Sequence, residues 1–323
     1  MKNFRSIDEF SKHNNERTVV TIGNFDGCHN GHKLLIEKVK KKAEELDAKP
    51  IALTFSPSPK EFFGVMDRSE RIFTDELKLA CFANSDIYSS INQSFDASFA
   101  KITAREFIEN ELLNKLNAIG LVVGDNFRFG HKAEGSSSSL KEYFSNKKEF
   151  SLSIIDHETT SSENIISSTL IRSLIKKGEL QRSKELLGRS HFISATVIHG
   201  KKLGNTIGFP TANLSNIEQI IPKSGVYSGW LVLDEDFSFD NPLKNALKSV
   251  ANIGINPTTD KSSDQKFEVH VLGRKDLKLY DKKVWFIFDR FIRDEQKFDS
   301  LDALISQIKK DCQTAEENLN LIG

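Results

Sequence analysis

A chain of 323 residues exceeds what one hydrophobic core usually organises, so two domains are expected. Basic and acidic residues balance at 45 each, which argues against a protein-wide footprint for nucleic acid or an anionic membrane and leaves room for a local anion site. No apolar run approaches the roughly 18 residues that cross a bilayer, and the opening "MKNFRSIDEFSKHNNE" lacks the apolar core of a signal peptide.

The first predicted strand is "RTVVTIG", a β-branched run. The loop "GNFDGCHNG" follows. A helix is then predicted over "GHKLLIEKVKKKAEEL", with Leu35, Val39, Ala43 and Leu46 on one stripe. "PIALTFS" reads as a strand, "TAREFIENELLNKL" as a helix, and "AIGLVVG" and "SLSIID" as further strands. Such alternation predicts a parallel sheet with helical crossovers. "EGSSSSLKE" and "HETTSSEN" are predicted loops, long enough to move or to act as a lid. After "SLIKKGELQRSKELLGR" the pattern changes. "HFISATVIHG", "GVYSGWLVL", "SVANIGI", "KFEVHVL" and "KVWFIFDRFI" read as strands separated by turns, with no helix between them, which predicts an antiparallel barrel. One helix ends the chain, with Leu301, Leu304, Ile305, Ile308, Cys312, Ala315 and Leu319 on its stripe. Phe298 and Asp299 stand at its expected staple and N-cap. The domain boundary is expected near 188–190, giving 1–188 and 189–323. Cys28, Cys81 and Cys312 are odd in number and far apart, with neither disulfide-framework nor zinc-ligand spacing, so a reducing cytoplasm is expected.

A strand running into a glycine-rich loop that opens a helix suits a phosphate, because the helix N-terminus offers free N–H groups and a positive dipole end. Gly23, Gly27 and Gly31 let the backbone turn and approach a ligand. His29 and His32 add directional N–H donors that could hold phosphate oxygens while their charge rearranges. A His-x-x-His by itself more often packs or lies at a surface. Zinc would need a third ligand nearby, and the loop lacks the Gly-Lys-Ser/Thr ending of a P-loop. In "GFPTAN" a tight turn is one reading; a Thr211 hydroxyl and an Asn213 side chain holding Mg²⁺ and phosphate oxygens is the other. "KFEVHVL" alternates, so Phe267, Val269 and Val271 share one face and Glu268 and His270 the other.

"GNFDGCHNGH" resembles the signature of the HxGH nucleotidyltransferases, and more narrowly that of the prokaryotic bifunctional riboflavin kinase/FMN adenylyltransferase (FAD synthetase) family. "LTFSPSPKEFF", "VVGDNFRFG" and "ISSTLIRSLIKKGEL" are similar to the family's next three motifs. "HGKKLGNTIGFPTANL", "GVY", "VANIGINPT", "EVHVL" and "RDEQKFDSLDALISQIKKD" follow in its order. The resemblance implies an α/β, Rossmann-like nucleotidyltransferase domain and an all-β flavokinase barrel with a terminal helix. It implies phosphorylation of riboflavin by ATP to FMN, then adenylylation of FMN by ATP to FAD and pyrophosphate. Mg²⁺ is the implied cofactor, and riboflavin, FMN and ATP are the partners, with neither nucleic acid nor membrane.

By the same resemblance His29 and His32 bind the ATP phosphates during adenylyl transfer, and Gly23, Asn24, Phe25 and Asp26 shape their loop. Ser168, Thr169 and Arg172 grip phosphate, although "ISST" alone reads equally as a helix N-cap. Asn126, Phe127 and Arg128 lie beside the flavin. In the kinase Gly200, Lys202, Gly204 and Gly208 form the nucleotide loop, Thr211 and Asn213 hold metal and phosphate, and Glu268 takes the riboflavin 5′-hydroxyl proton. His270 has no assigned role. Ser58 stands where the family commonly has histidine, Asn126 where many members have aspartate, Lys132 and Ser136 where arginine and aspartate are usual, and Leu170 where many have arginine. A single-activity mononucleotide adenylyltransferase, or a flavin-binding or riboflavin kinase protein with impaired adenylyl transfer, are the competing readings. The first leaves "GFPTAN" and "KFEVHVL" without a purpose.

Overall fold

The computed structural model describes residues 1–156, 166–200, 203–255, 265–274 and 277–321. The β-branched and apolar runs of the first half form the expected strands β2 (Thr18–Ile22), β3 (Lys49–Ser56) and β5 (Ala118–Gly124), and two strands not anticipated from the sequence, β1 (Lys2–Phe4) and β4 (Ser89–Ser94), arise from "KNF" and "SSINQS", which pair with each other and, through β4, with β3. After a small antiparallel pair, β6 (Arg128–Phe129) and β7 (Gly135–Ser136), comes β8 (Ser151–Ile155). The sheet order is β1-β4-β3-β2-β5-β8, with every neighbouring pair parallel. Both faces are covered, so β2 is buried at every position and reads as an unbroken apolar and threonine run. From β2 the chain moves outward through β3 to β4, then returns to the other side of β2 as β5. That reversal opens a crevice at the carboxyl ends of β2 and β5, and the loops leaving those two strands carry "GNFDGCHNG" and "GDNFRFG".

The helices of this half are α1 (Ile7–His13), α2 (Asn30–Glu45), α3 (Pro59–Phe62), α4 (Asp75–Ala83), α5 (Ala104–Glu106, continuing as a wider π repeat over Phe107–Lys115) and α6 (Ser137–Phe144). On α2 the buried stripe is Ile36, Val39 and Ala43, with Ile36 in the place expected of Leu35. The serine-rich "EGSSSSLKE", expected as a loop, holds β7 and the start of α6. The Ser136 hydroxyl accepts from Ser139 N–H at 3.2 Å and Ser139 Oγ accepts from Ser136 N–H at 2.7 Å, so serines cap a helix instead of opening a loop. "HETTSSEN" lies outside the described residues.

The second half begins with α7 (Ser168–Lys177) and α8 (Leu180–Leu187) and becomes a closed antiparallel barrel. Its strands are β9 (Phe192–Ile198), β10 (Ala212–Ser215), β11 (Gly225–Leu233), β12 (Leu247–Ile255), β13 (Gln265–Val271) and β14 (Lys283–Arg293), in the order β10-β13-β12-β11-β14-β9. Tyr227, Phe267, Phe286 and Phe288 fill its interior. Two expectations change here. β10 arises from "ANLS", part of a stretch anticipated as a turn, because pairing to β9 and β13 outweighs a weak local signal. A one-turn helix, α9 (Leu203–Thr206), also intervenes before it. The terminal helix α10 (Leu301–Asn320) is capped by Ser300, whose Oγ accepts from Ala303 N–H at 3.1 Å, one residue beyond the expected Asp299. Leu301 is 58% exposed and lies off the buried stripe. Asp311 is buried against Arg293 of β14, which donates through Nε and Nη2 at 2.9 and 2.7 Å.

The chain divides into two compact units, residues 1–68 with 73–168, and residues 69–72 with 169–323. No helix among the described residues is long and apolar enough to cross a membrane. The cysteines correct the sequence reading. Cys28 and Cys81 are joined by a disulfide although 53 residues apart, because the loop after β2 packs against α4. Cys312 is a half-buried thiol, pushed up to about 11 by desolvation and the neighbouring charges of Asp311 and Glu316.

Candidate functional site

In the first unit, His29 is the N-cap of α2. Its Nδ1 accepts from His32 N–H at 3.3 Å, so the ring proton is on Nε2. The His32 ring stacks on His29 with centroids 3.6 Å apart. The intervening glycine eases this fold-back: a Cβ on Gly31 would stand 3.3 Å from the His29 ring, a tight contact that the ring would have to relieve. Two imidazoles and the N-terminus of a 16-residue helix therefore converge beside the crevice at the carboxyl end of β2.

The rest of the loop is held from behind. Gly23 N–H donates to Leu53 O at 3.1 Å, and Asn24 O accepts from Thr54 Oγ1 at 3.3 Å, both from β3. Phe25 is fully buried, with its ring 5.0 Å from Phe82 of α4 and 5.1 Å from His32. The Asp26 carboxylate is buried and accepts from Phe73 N–H at 2.9 Å. Asp26 O accepts from Ser168 Oγ at 2.9 Å, which brings the start of the "ISST" motif to the histidine loop. Thr169 and Arg172 continue into α7 within the second unit, where Arg172 is buried and its Nη2 donates to Thr169 Oγ1 at 3.3 Å.

After β5 the chain turns with Phe127 N–H donating to Gly124 O at 3.1 Å. Asn126 and Arg128 are exposed, and Phe127 stacks at 5.4 Å on the buried Phe129. Phe62 and Phe63 follow the "SPSP" stretch. They are 37% and 61% exposed and meet Phe95, just beyond β4, at 5.5 and 6.0 Å. This aromatic face at the sheet's carboxyl edge was missed in the sequence, where "EFF" after a proline turn was its only signal. Ser58 is the N-cap of α3: its Oγ accepts from Glu61 N–H at 3.4 Å and the Glu61 carboxylate accepts from Ser58 N–H at 2.7 Å.

In the barrel unit, Gly200 leaves β9 against the Asn213 side chain, and Gly208 turns the chain with a φ of +84°. Lys202 lies outside the described residues. Gly204 has no room for a side chain: a Cβ would stand 2.3 Å from Phe209 O and 3.3 Å from Thr211 Oγ1. Asn213 on β10 is the register partner of Glu268 on β13, and Glu268 is in turn the partner of Asn252 on β12. Because Phe267, Val269 and Val271 point into the core, these three polar residues form a row on the outer surface of the barrel. Lys266 Nζ pairs with the Glu268 carboxylate at 2.8 Å. Asn252 was not singled out in the sequence, because only the register shows that it stands beside Glu268.

Comparison with known proteins agrees with this division. Residues 11–170 match the FAD synthetase family and residues 187–319 the riboflavin kinase family. The chain is 35% identical over 323 residues to the bifunctional riboflavin kinase/FMN adenylyltransferase of Escherichia coli strain K12, covering 99% of each. It is 35% identical over 302 residues to the Haemophilus influenzae protein of the same name, covering 93% of this chain and 94% of that one. The Listeria monocytogenes protein of that name is 31% identical over 299 residues, with 91% and 90% covered. A crystal structure described as a macrolide-efflux protein from Streptococcus pneumoniae shares the fold, with a TM-score of 0.84, 27% identity, and 98% and 99% of the two chains covered. Since both halves match in sequence order and the likeness to curated relatives runs nearly end to end, this chain belongs to the bifunctional riboflavin kinase/FMN adenylyltransferase family.

Proposed function

We propose that the chain carries out two successive ATP-dependent steps, riboflavin to FMN in the barrel and FMN to FAD at the parallel sheet. The observation that carries this reading is that one chain holds both a stacked histidine pair at a helix N-terminus and a separate Asn213–Glu268–Asn252 row on a flavokinase-like barrel. In the kinase step the riboflavin 5′-hydroxyl oxygen attacks the γ-phosphorus of ATP, ADP leaves, and the Glu268 carboxylate takes the hydroxyl proton. Thr211 and Asn213 hold the phosphates, with the loop of Gly200, Lys202, Gly204 and Gly208 over the nucleotide. Mg²⁺ fits the hard oxygen donors of Thr211 and Asn213; when bound it would offset phosphate charge.

In the adenylyl step an FMN phosphate oxygen attacks the α-phosphorus of a second ATP and pyrophosphate leaves. His29 and His32 donate N–H groups to the phosphates, the loop from Gly23 to Asp26 holds the histidines in place, and Ser168, Thr169 and Arg172 receive the departing pyrophosphate. Asn126, Phe127 and Arg128, with the aromatic face of Phe62 and Phe63, take the isoalloxazine ring, which needs a flat apolar surface. The adenylyl portion is taken as 1–188 and the kinase portion as 189–323, with both activities in the cytoplasm. Incubating the protein with riboflavin, ATP and Mg²⁺ and separating the products tests the whole reading: FMN must appear first and FAD after it. FMN alone would favour the reading in which adenylyl transfer is impaired, for which Ser58 at the family's histidine position and the departures at Asn126, Lys132 and Ser136 are the support.

A further inference from the structure

We infer that His270 is a positioning residue of the kinase step, tying the "GFPTAN" turn to the strand that bears Glu268. The inference rests on the proposed placement of the kinase site at Thr211, Asn213 and Glu268. His270 lies two residues beyond Glu268 on β13, so both side chains leave the same outer face. The two side chains behave differently there. Glu268 points among Lys266, Asn213 and Asn252, whereas His270 Nδ1–H donates to Pro210 O at 2.8 Å. Pro210 is the residue before Thr211. It has no N–H, so its carbonyl is the only backbone group it offers for anchoring that turn.

The contact extends further into the nucleotide loop. The edge of Phe209 meets the His270 ring with centroids 5.4 Å apart and planes at 74°. Phe209 N–H donates to Gly204 O at 2.8 Å, and Gly204 abuts Thr211 Oγ1. One imidazole thus holds two consecutive residues of a turn that leads directly into β10, whose pairing to β13 begins at Ala212. A solvated outer-face histidine has no such partners. Thr211 sits between the anchored carbonyl and the first paired residue, so its hydroxyl is fixed relative to Glu268 along a single strand. Phosphoryl transfer depends chiefly on such positioning, and a displacement of about 1 Å can cost as much as 10²-fold in rate.

The test compares His270→Ala, His270→Asn and His270→Gln in the full chain, measuring kcat and the KM values for ATP and riboflavin, FAD formation from supplied FMN, and thermal unfolding. The asparagine amide nitrogen is as many bonds from Cβ as Nδ1 and can reach Pro210 O, whereas glutamine is one bond too long. Expected are a rise of about 10-fold or more in the ATP KM, with a fall in kcat, for Ala and Gln, substantial recovery in Asn, a riboflavin KM changed much less, and unaltered FAD formation from FMN. Kinase constants within twofold of wild type in His270→Ala would overturn the inference, as would His270→Asn being no better than His270→Gln. If His270→Ala fails to fold, the comparison of Asn with Gln decides. Glu268→Gln is measured beside them: retention of phosphorylation there would sink the placement of the site, while the histidine series reads the turn independently.

Discussion

His29 both caps α2 and, in the proposed mechanism, donates to phosphate, and the two roles separate by substitution. Asparagine is among the best N-cap residues, so His29→Asn is expected to keep unfolding free energy within about 0.5 kcal/mol of wild type. Losing a preorganised transition-state donor lowers the rate by about 10²-fold or more, and FAD formation from FMN should fall by that much while FMN formation stays unchanged. Equal loss of both activities in a folded variant would contradict separate sites. The same cap geometry bears on Ser58. Since the His29 imidazole accepts a helix N–H through Nδ1, histidine at 58 can keep the cap and return an imidazole to the second motif. Ser58→His is therefore expected to raise the rate of FAD formation, and an unchanged or lower rate would show a pocket rebuilt around serine. In the barrel unit the His191 imidazole is fully buried, with Nε2–H donating to Ile220 O at 2.8 Å. Desolvation pushes it down to about 3, helped by the Arg189 charge and opposed by that hydrogen bond. The unfolded chain, with an ordinary histidine near 6.5, binds the proton first. Stability from His191 is thus intact above about pH 6.5 and is lost as pH falls toward 3, by about 2 kcal/mol between pH 7 and 5. Denaturant unfolding at those two pH values should show His191→Gln losing correspondingly less than wild type.

At the scale of elements, α4 acts as the back wall of the histidine loop. Phe82 packs on Phe25, which packs on His32, and Cys81 on the same helix is bonded to Cys28, next to His29. A cross-link between residues 53 apart removes loop entropy from the unfolded chain, and an intact bond of this kind is typically worth about 2–4 kcal/mol. Cys81→Ser is expected to lower the stability of the oxidised protein by that amount and to leave the fully reduced protein nearly unchanged. Thiol titration of the unfolded chain, before and after reduction, reports how much of the bond is present. Equal unfolding midpoints for oxidised wild type and variant would show that α4 holds the loop by packing alone.

For the whole molecule, the composition changes near residue 189, whereas the compact unit containing the barrel starts at Thr169. The difference is α7 and α8. Leu180 is 3% exposed and belongs to the barrel's core cluster, and Gln181 Nε2 donates to Asp289 O at 2.9 Å. A fragment of residues 189–323 is expected to phosphorylate riboflavin, because the proposed kinase residues all lie within it. A fragment of residues 169–323 should be more stable by about 2–5 kcal/mol, the range for losing a large buried aliphatic side chain. Comparing urea midpoints and FMN formation in the two fragments checks both statements, and an inactive but folded longer fragment would contradict the separation of the two activities.

The sequence by itself determined what depends on local order along the chain. The alternation of strands and helices, the switch to strands and turns after His191 and the amphipathic terminal helix are all near-neighbour patterns, and each survives in the structure. The tertiary structure alone decided what depends on distant segments. Cys28 meets Cys81 because α4 packs behind the loop after β2. Asn252 stands beside Glu268 because barrel closure sets a register, and "ANLS" becomes a strand because two neighbours pair with it. Phe62 and Phe63 remain exposed because no other segment among the described residues covers them. Period and composition report which face of an element is apolar, but not which other element covers it. The partner of each side chain is therefore settled only when the sheet order and the barrel register are in place.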